Sequence, residues 1–380
     1  MKESKPSQPA SRGAGLWLLA LTLSSAAVKA LAAWLSRALV FDEYLYCLQA
    51  LALIHEGSLP TIFPLTPALT AGALFMLGGG KAGFLALNVA LGGLLALPAY
   101  QLARRLLDDE ASLAAAATVA FNPILIWCSA HVLTEPLFTI LASYFILLAL
   151  SADRRREALL AGFIAGLAYL CRYPAILLAA VAALHLASSR RAAEAALLAA
   201  SFTAVVASWQ AAALALTGQA FQTERYSIFM SLGPPPPLSL EALPPMASRA
   251  FIGLSIAFLP LVPLTAHLKL DARGGRKLLL AAASTWLLVH LGYYAYQSFS
   301  SYAAQGYVVA AERVARWSAP ITPLAAAALM SGRRSRSLPL ATLASALLGS
   351  AIGLYLVEYT NQHAMLQLTW EEFLRGGGWP

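Results

Sequence analysis

Apolar runs separated by short loops fill this chain, and clustered cations fall in every second loop. Stretches of roughly 17 to 25 apolar residues are long enough to cross a bilayer as helices. They lie near 16–36, 83–103, 111–128, 135–151, 157–171, 174–188, 192–214, 250–268, 278–297, 317–332 and 338–357, about eleven in all. With the N-terminus inside, the cytoplasmic loops hold Lys2, Lys5 and Arg12, Arg104-Arg105, Arg154-Arg155-Arg156 and Arg190-Arg191. They also hold the group Lys269, Arg273, Arg276 and Lys277, then Arg333-Arg334 with Arg336. In the opposite loops the arginines are isolated: Arg37, Arg172, Arg225, Arg249, Arg313, Arg316 and Arg375. That alternation is the positive-inside pattern.

Composition agrees. The chain is 59% hydrophobic and 12% charged, about half the charge fraction of an ordinary soluble domain. The fold class expected is an all-α polytopic membrane protein. The net charge of +8 would suggest nucleic acid in a soluble protein; here it sets topology, so no nucleic-acid partner is expected. The first span follows a polar tail, residues 1–15, without a clear small-residue cleavage site, and reads as an uncleaved anchor. Cys47, Cys128 and Cys171 are odd in number and lack metal-ligand spacing. They read as small buried apolar residues, with a disulfide between two of them left open.

One apolar segment breaks the alternation. Counting residues 62–80 as a span would invert every later basic cluster. Pro64 and Pro67 open the segment and Gly78-Gly79-Gly80 closes it, leaving about ten uninterrupted apolar residues, too few to cross. It reads as an interfacial or re-entrant helix within a long first outer loop, 37–82. A transmembrane domain over 16–357 is thus expected, with that loop, a Pro-rich outer loop at 217–249 and an outer tail at 358–380. The second loop contains Thr223-Glu224-Arg225-Tyr226 and Pro234-Pro235-Pro236-Pro237, a stiff polyproline stretch that reads as a lid or as a connector.

Asp42 and Glu43 stand together directly after the first span, opening a short amphipathic helix over 41–56. Carboxylates at a membrane surface cost desolvation energy unless wetted, paired or used. Such a pair could take a proton from a sugar hydroxyl or hold a cation; otherwise it is an ordinary solvated loop. Further polar groups gather at the outer span ends: His131, Thr134 and Glu135, then Arg172 and Tyr173, then Glu312, Arg313 and Arg316. Lys29 lies inside the first span. Each alone is explained by snorkelling or by a helix dipole, but the shared face suggests a site. Carboxylates opposite several guanidinium groups suit a phosphate-bearing substrate whose lipid tail stays in the bilayer.

These residues resemble the multi-spanning GT-C glycosyltransferases that use lipid-phosphate sugars, the branch with protein O-mannosyltransferases and aminoarabinose transferases. Asp42-Glu43 resembles the first-loop acidic motif, and Phe63-Pro64-Leu65-Thr66-Pro67 the segment leading into a juxtamembrane helix. Leu133-Thr134-Glu135-Pro136-Leu137-Phe138 resembles a Ser/Thr-Glu-x-Leu-Phe segment. Leu170-Cys171-Arg172-Tyr173 resembles a Thr-Arg-Tyr turn with Cys in place of Thr. Glu312-Arg313 with Arg316-Trp317, Pro320 and Pro323 resembles a late Arg-aromatic-Pro-Pro segment at imperfect spacing.

The resemblance implies inverting transfer of a sugar from a polyprenyl-phosphate donor to a glycan, lipid or protein acceptor outside the cytoplasm. By it, Asp42 and Glu43 are the catalytic acids, and Arg172, Arg313 and Arg316 bind the donor phosphate. His131, Glu135 and Tyr173 support them. No cofactor is firmly implied; a divalent cation on Asp42 and Glu43 stays open because family members differ. The absence of a long hydrophilic block favours a lipid-linked glycan or glycolipid over a protein acceptor. Two rivals remain: a transporter or flippase, which predicts inverted repeats, and an outer-face polysaccharide ligase or polymerase, which needs no acid pair after the first span.

Overall fold

The computed structural model of this chain describes residues 12–151, 155–220, 238–269, 275–330, 337–363 and 367–376. The tail residues 1–11 and 377–380, Arg154, Thr223-Glu224-Arg225-Tyr226, Pro234-Pro235-Pro236-Pro237, Arg273, and Arg333-Arg334 with Arg336 lie outside the described residues.

The described residues are helical throughout, and their extended pairings are two isolated bridges, Ala38 with Thr369 and Leu268 with Met330. The helices run α1 Arg12–Leu35, α2 Phe41–Glu56, α3 Leu65–Leu77, α4 Lys81–Leu94, α5 Ala96–Ala103 and α6 Asp109–Ala120. Next come α7 Pro123–Ser129, α8 Glu135–Ser151, α9 Arg155–Cys171, α10 Ala175–Ser188 and α11 Ala192–Thr217. The remainder are α12 Leu243–Phe258, α13 Gly275–Gln305, α14 Ala311–Ser318, α15 Thr322–Leu329, α16 Leu338–His363 and α17 Trp370–Gly376.

This is a multi-span membrane protein, and helix length by itself does not confirm the count of eleven spans. Among the described residues six helical runs are long and apolar enough to cross a bilayer: α1, Lys81–Ala103 (α4 with α5), α11, Leu240–His267 (α12 with its flanking 3-10 turns), α13 and α16. The bent pair α6–α7 makes a seventh if it is one span. The shorter apolar helices sit at the edge of the length needed. At 1.5 Å per residue, the 17 residues of α8 reach about 25 Å, less than a hydrocarbon core of about 30 Å. The 14 residues of α10 reach less. The late run is broken by Pro320 and Pro323 into α14, a 3-10 turn at Ala319–Ile321, and α15. Segment 62–80 is the short helix α3, as expected, and its tip exposes Phe75, at 87%, beside Met76 and Leu77.

Two local devices set the positions of the helices nearest the polar cluster. Asn122 breaks the run at the α6–α7 junction, where the helices bend by 52°. Its Oδ1 accepts from Ile124 N at 3.0 Å and Leu125 N at 3.2 Å, while Nδ2 donates to Ala257 O at 2.7 Å. Helix α7 is therefore capped and tied to α12 at once. The second device is Gly162-Phe163-Ile164-Ala165-Gly166 on α9, facing α11. A Cβ on Gly162 would lie 2.2 Å from Leu198 O, and one on Gly166 2.6 Å from Val205 Cβ. Small residues four apart let two membrane helices close to backbone contact. Lys29, fully buried on α1, donates to Ser25 Oγ at 2.6 Å and to Ala120 O, the open carbonyl end of α6.

Candidate functional site

The site forms at the end of the bundle where α1 and α9 finish and α8 begins. Glu43 sits at the third position of α2 and is fully buried. Its Oε2 accepts from the backbone N–H of Val40 at 3.2 Å, half of a capping box. The same oxygen lies 2.8 Å from His131 Nδ1, and Oε1 accepts from Val132 N at 2.9 Å. His131 and Val132 belong to the α7–α8 connection, a buried non-helical turn whose backbone groups need partners away from water. Asn88 supplies the rest: its amide donates to His131 O at 2.6 Å and Leu133 O at 2.8 Å. Ring contact with Trp127 at 4.9 Å covers His131, whose Nε2 is buried without a hydrogen-bond partner.

That pinned turn delivers Glu135 to the first position of α8. Glu135 is fully buried, and its Oε1 lies 3.0 Å from Arg172 Nη1 and 2.9 Å from Arg316 Nε. Arg316 continues to Asp42: Nη1 is 2.8 Å from Asp42 Oδ2 and 3.6 Å from Glu312 Oε1. The Trp127 ring stands 5.7 Å from the guanidinium carbon. Asp42 keeps 36% of its side chain exposed, against 10% for Arg316 and none for Glu135. Partial burial pushes the Asp42 carboxyl up, but the Arg316, Arg313 and Arg172 charges outweigh it and hold the group below its usual range. Asp42 is therefore an ionised, reachable carboxylate at neutral pH.

Adjacent in sequence, the two acids go to different places. Asp42 joins the arginine cluster; both oxygens of Glu43 are engaged by protein donors. Arg172, Arg316 and Glu135 come together as one ion-paired group. Arg313 is exposed beside it and donates to Gln297 Oε1 at 3.4 Å. His131 is in contact with Glu43. Tyr173 packs 4.9 Å from Phe63 and 5.2 Å from Tyr169, walling the side next to Arg172. Where the turn departs from Thr-Arg-Tyr, the Cys171 thiol donates to Thr134 O at 3.5 Å, so sulfur takes up a hydroxyl's place. All three cysteines are free and buried. Among the described residues no group of three His, Cys, Asp or Glu side chains could hold a metal ion.

Three contributors escape a sequence reading. Asn88 left one signal, a lone amide inside an apolar run. Trp127 carries no signal of its own within the apolar run 111–128. Asn361, far along the chain, accepts from Arg37 N at 2.7 Å and Ala38 N at 3.2 Å and donates to Leu35 O at 2.9 Å. It fixes the joint between α1 and α2, just before Asp42.

Comparison with known proteins gives one family-model match and several matches in fold. The family model for dolichyl-phosphate-mannose-protein mannosyltransferase matches residues 60–209. That segment includes His131, Glu135 and Arg172; Asp42, Glu43, Arg313 and Arg316 lie outside it. Among solved structures, the chain is similar to ArnT from Cupriavidus metallidurans bound to undecaprenyl phosphate. The TM-score is 0.62 at 17% identity, covering 88% of this chain and 63% of that one. The apo state of the same protein matches at TM-score 0.55 and 16% identity, over 83% of this chain and 60% of that one. The chain thus spans about three fifths of the length of the ArnT it matches. A looser likeness, TM-score 0.49 and 14% identity over 93% and 57%, links it to the archaeal oligosaccharyltransferase AglB from Archaeoglobus fulgidus. A comparison with curated proteins finds no match. The fold is ArnT-like, and the family-model match agrees with the resemblance for the motifs that fall within residues 60–209.

Proposed function

We propose that the protein transfers a sugar, with inversion, from a polyprenyl-phosphate donor to an acceptor hydroxyl outside the cytoplasm. The observation that carries this reading is the half-exposed, ionised Asp42 held against Arg316 in a cluster that also contains Arg172. An acceptor hydroxyl next to Asp42 gives its proton to Oδ as its oxygen attacks the anomeric carbon from the face opposite the phosphate. The bond from that carbon to the phosphate oxygen breaks, and the leaving phosphate gains charge. Guanidinium groups suit that charge because their planar donors match phosphate oxygens and stay protonated. Arg172 and Arg316 serve here, with the exposed Arg313 as a third. Glu135 orients two of them without facing solvent.

Glu43 has a different task in this reading. Its oxygens are occupied, so it sets the start of α2 and the α7–α8 turn, and through them the spacing between Asp42 and the arginines. The sugar is proposed as a hexose or pentose such as mannose, and the acceptor as a lipid-linked glycan or glycolipid rather than a protein. The positive-inside pattern supports an extracytoplasmic site, since Asp42 and the arginines occupy loops opposite the basic clusters.

The test uses purified full chain with radiolabelled polyprenyl-phosphate mannose or the corresponding nucleotide-sugar, plus crude membrane acceptors. Transfer from the lipid donor, lost in Asp42→Asn, is the expected result. Efficient transfer from the nucleotide-sugar without any lipid carrier would overturn the reading.

A further inference from the structure

Beside the ion cluster, α13 presents a face that no motif pointed to. Trp286, His290, Tyr293 and Gln297 are spaced by four, three and four residues, so they share one side of the helix. Deeper in the protein that side is core: Trp286 is fully buried, stacked on Phe138 at 4.9 Å and on His290 at 4.2 Å. Toward the site it opens, and Tyr293 and Gln297 are half-buried. An aromatic belt facing lipid would lie on the other side of α13, where Leu288 is 71% exposed. Tyr293 instead faces the protein. Its ring lies 5.4 Å from that of Trp317, which in turn lies 5.7 Å from His290. Trp317 is anchored, since its carbonyl accepts from Trp286 Nε1 at 2.6 Å.

Polar groups rim these two rings. Gln297 Nε2 donates to Tyr293 Oη at 2.7 Å, and its Oε1 accepts from Arg313 Nη1. Trp317 follows Arg316 in the chain, and Arg313, which donates to Gln297, is also one of the charges that act on Asp42. Half-exposed aromatic faces edged by a planar amide and a guanidinium suit one ligand chemistry. A pyranose has an apolar face of C–H groups and a rim of hydroxyls that both donate and accept in the ring plane; a lipid tail would match the ring faces but neither the amide nor the guanidinium.

We propose that Trp317 and Tyr293, with the Gln297 amide, form a subsite for a pyranose ring next to Asp42 and Arg316. Arg313 joins this rim to the phosphate side. The inference rests on the glycosyl-transfer reading and extends it to the sugar itself. The ring is that of the donor or that of the acceptor, and binding distinguishes the two.

Full-length protein in lipid nanodiscs is titrated with undecaprenyl phosphate and with undecaprenyl-phosphate mannose, glucose and arabinose. In a second arm, protein saturated with undecaprenyl phosphate is titrated with methyl mannoside and methyl glucoside. Wild type is expected to prefer a sugar-bearing ligand in at least one arm. Trp317→Leu and Tyr293→Leu should weaken that preference about tenfold, the scale of a lost aromatic contact. Bare undecaprenyl phosphate should bind unchanged, which shows the variants folded, and Trp317→Phe should keep most of the preference. Loss in the first arm assigns the ring to the donor, and loss in the second to the acceptor. The subsite is overturned if wild type shows no sugar preference in either arm, or if both Leu variants keep it. Wild type that does not bind the bare carrier overturns the donor reading and the subsite with it.

Discussion

The Asp42 carboxylate lies 2.8 Å from Nη1 of Arg316, and that guanidinium also reaches the buried Glu135 through Nε at 2.9 Å. One cation is thus shared between an acid that solvent reaches and an acid that it does not. The buried contact holds the guanidinium plane, because a desolvated carboxylate cannot give up its partner cheaply. The exposed contact is the one a substrate can displace. In the proposed transfer, a phosphate arriving at Arg316 would compete with Asp42 and leave that carboxylate open to a hydroxyl.

Asp42→Asn is expected to lower the transfer rate by about two to four orders of magnitude, the usual cost of losing a general base. The protein should still fold, with thermal stability lowered only by the contribution of the ionised carboxylate, since a neutral amide still accepts from Arg316. Steady-state kinetics on a defined lipid donor, read beside a melting curve, checks both halves. A rate within a few-fold of wild type would remove Asp42 from the chemistry.

Glu135→Ala is expected to destabilise the protein by about 3–5 kcal/mol, because two guanidinium groups stay buried with their shared partner gone. Thermal unfolding in detergent reads the loss. Replacing Glu312 by Ala should cost far less: its contact to Arg316 is 3.6 Å and its side chain is half exposed.

Asp42 titrates below its usual range because the arginines outweigh the effect of burial. Its ionised form therefore stabilises the fold above the ordinary carboxylate range, and this contribution is lost only as pH falls through the lowered folded-state value. Between pH 5 and 8 the base stays ionised, and kcat/KM should show no acid limb from this group. In Arg316→Gln the largest opposing charge is gone and burial pushes the carboxyl back up. The acid limb of kcat/KM should then move to higher pH. A profile of the variant that superimposes on wild type would remove Arg316 as the controlling charge.

Asn361→Ala removes three hydrogen bonds to residues 35–38. A cost of about 1–3 kcal/mol in unfolding free energy is expected for the backbone groups left open. The rate of transfer should fall more than donor affinity, since the joint it fixes leads directly into Asp42. Asn361→Asp keeps the acceptor and should recover most of the rate.

Arg155→Cys and His363→Cys test orientation. The native thiols are buried, so they form a quiet background for an impermeant reagent in intact cells. Position 363 should label and position 155 should not. The reverse would put the site on the cytoplasmic face.

The membrane class was legible from residue order alone, because hydrocarbon tolerates only long apolar runs and the alternating clusters are a local count. Segment 62–80 was legible for the same reason: Pro64, Pro67 and the glycine run leave too short an apolar stretch. Span count was not. Whether α8 or α10 crosses depends on what surrounds a short helix, and that is a property of packing.

The site divides in the same way. Sequence marked Asp42, Arg172, Glu135 and Arg316 because ionisable groups are costly beside lipid and stand out one by one. It could not separate Asp42 from Glu43. Neighbours on a helix diverge by about 100°, and only the α7–α8 turn on one side and Arg316 on the other decide which acid is pinned and which stays reachable. Nor could it pair Asn361 with Arg37, or bring Tyr293 to Trp317. Composition and charge order determined the membrane class and the sidedness expected of the loops, because long apolar runs and basic clusters act largely segment by segment. Which carboxylate faces a substrate was decided by tertiary structure, since that depends on contacts between helices far apart in the chain.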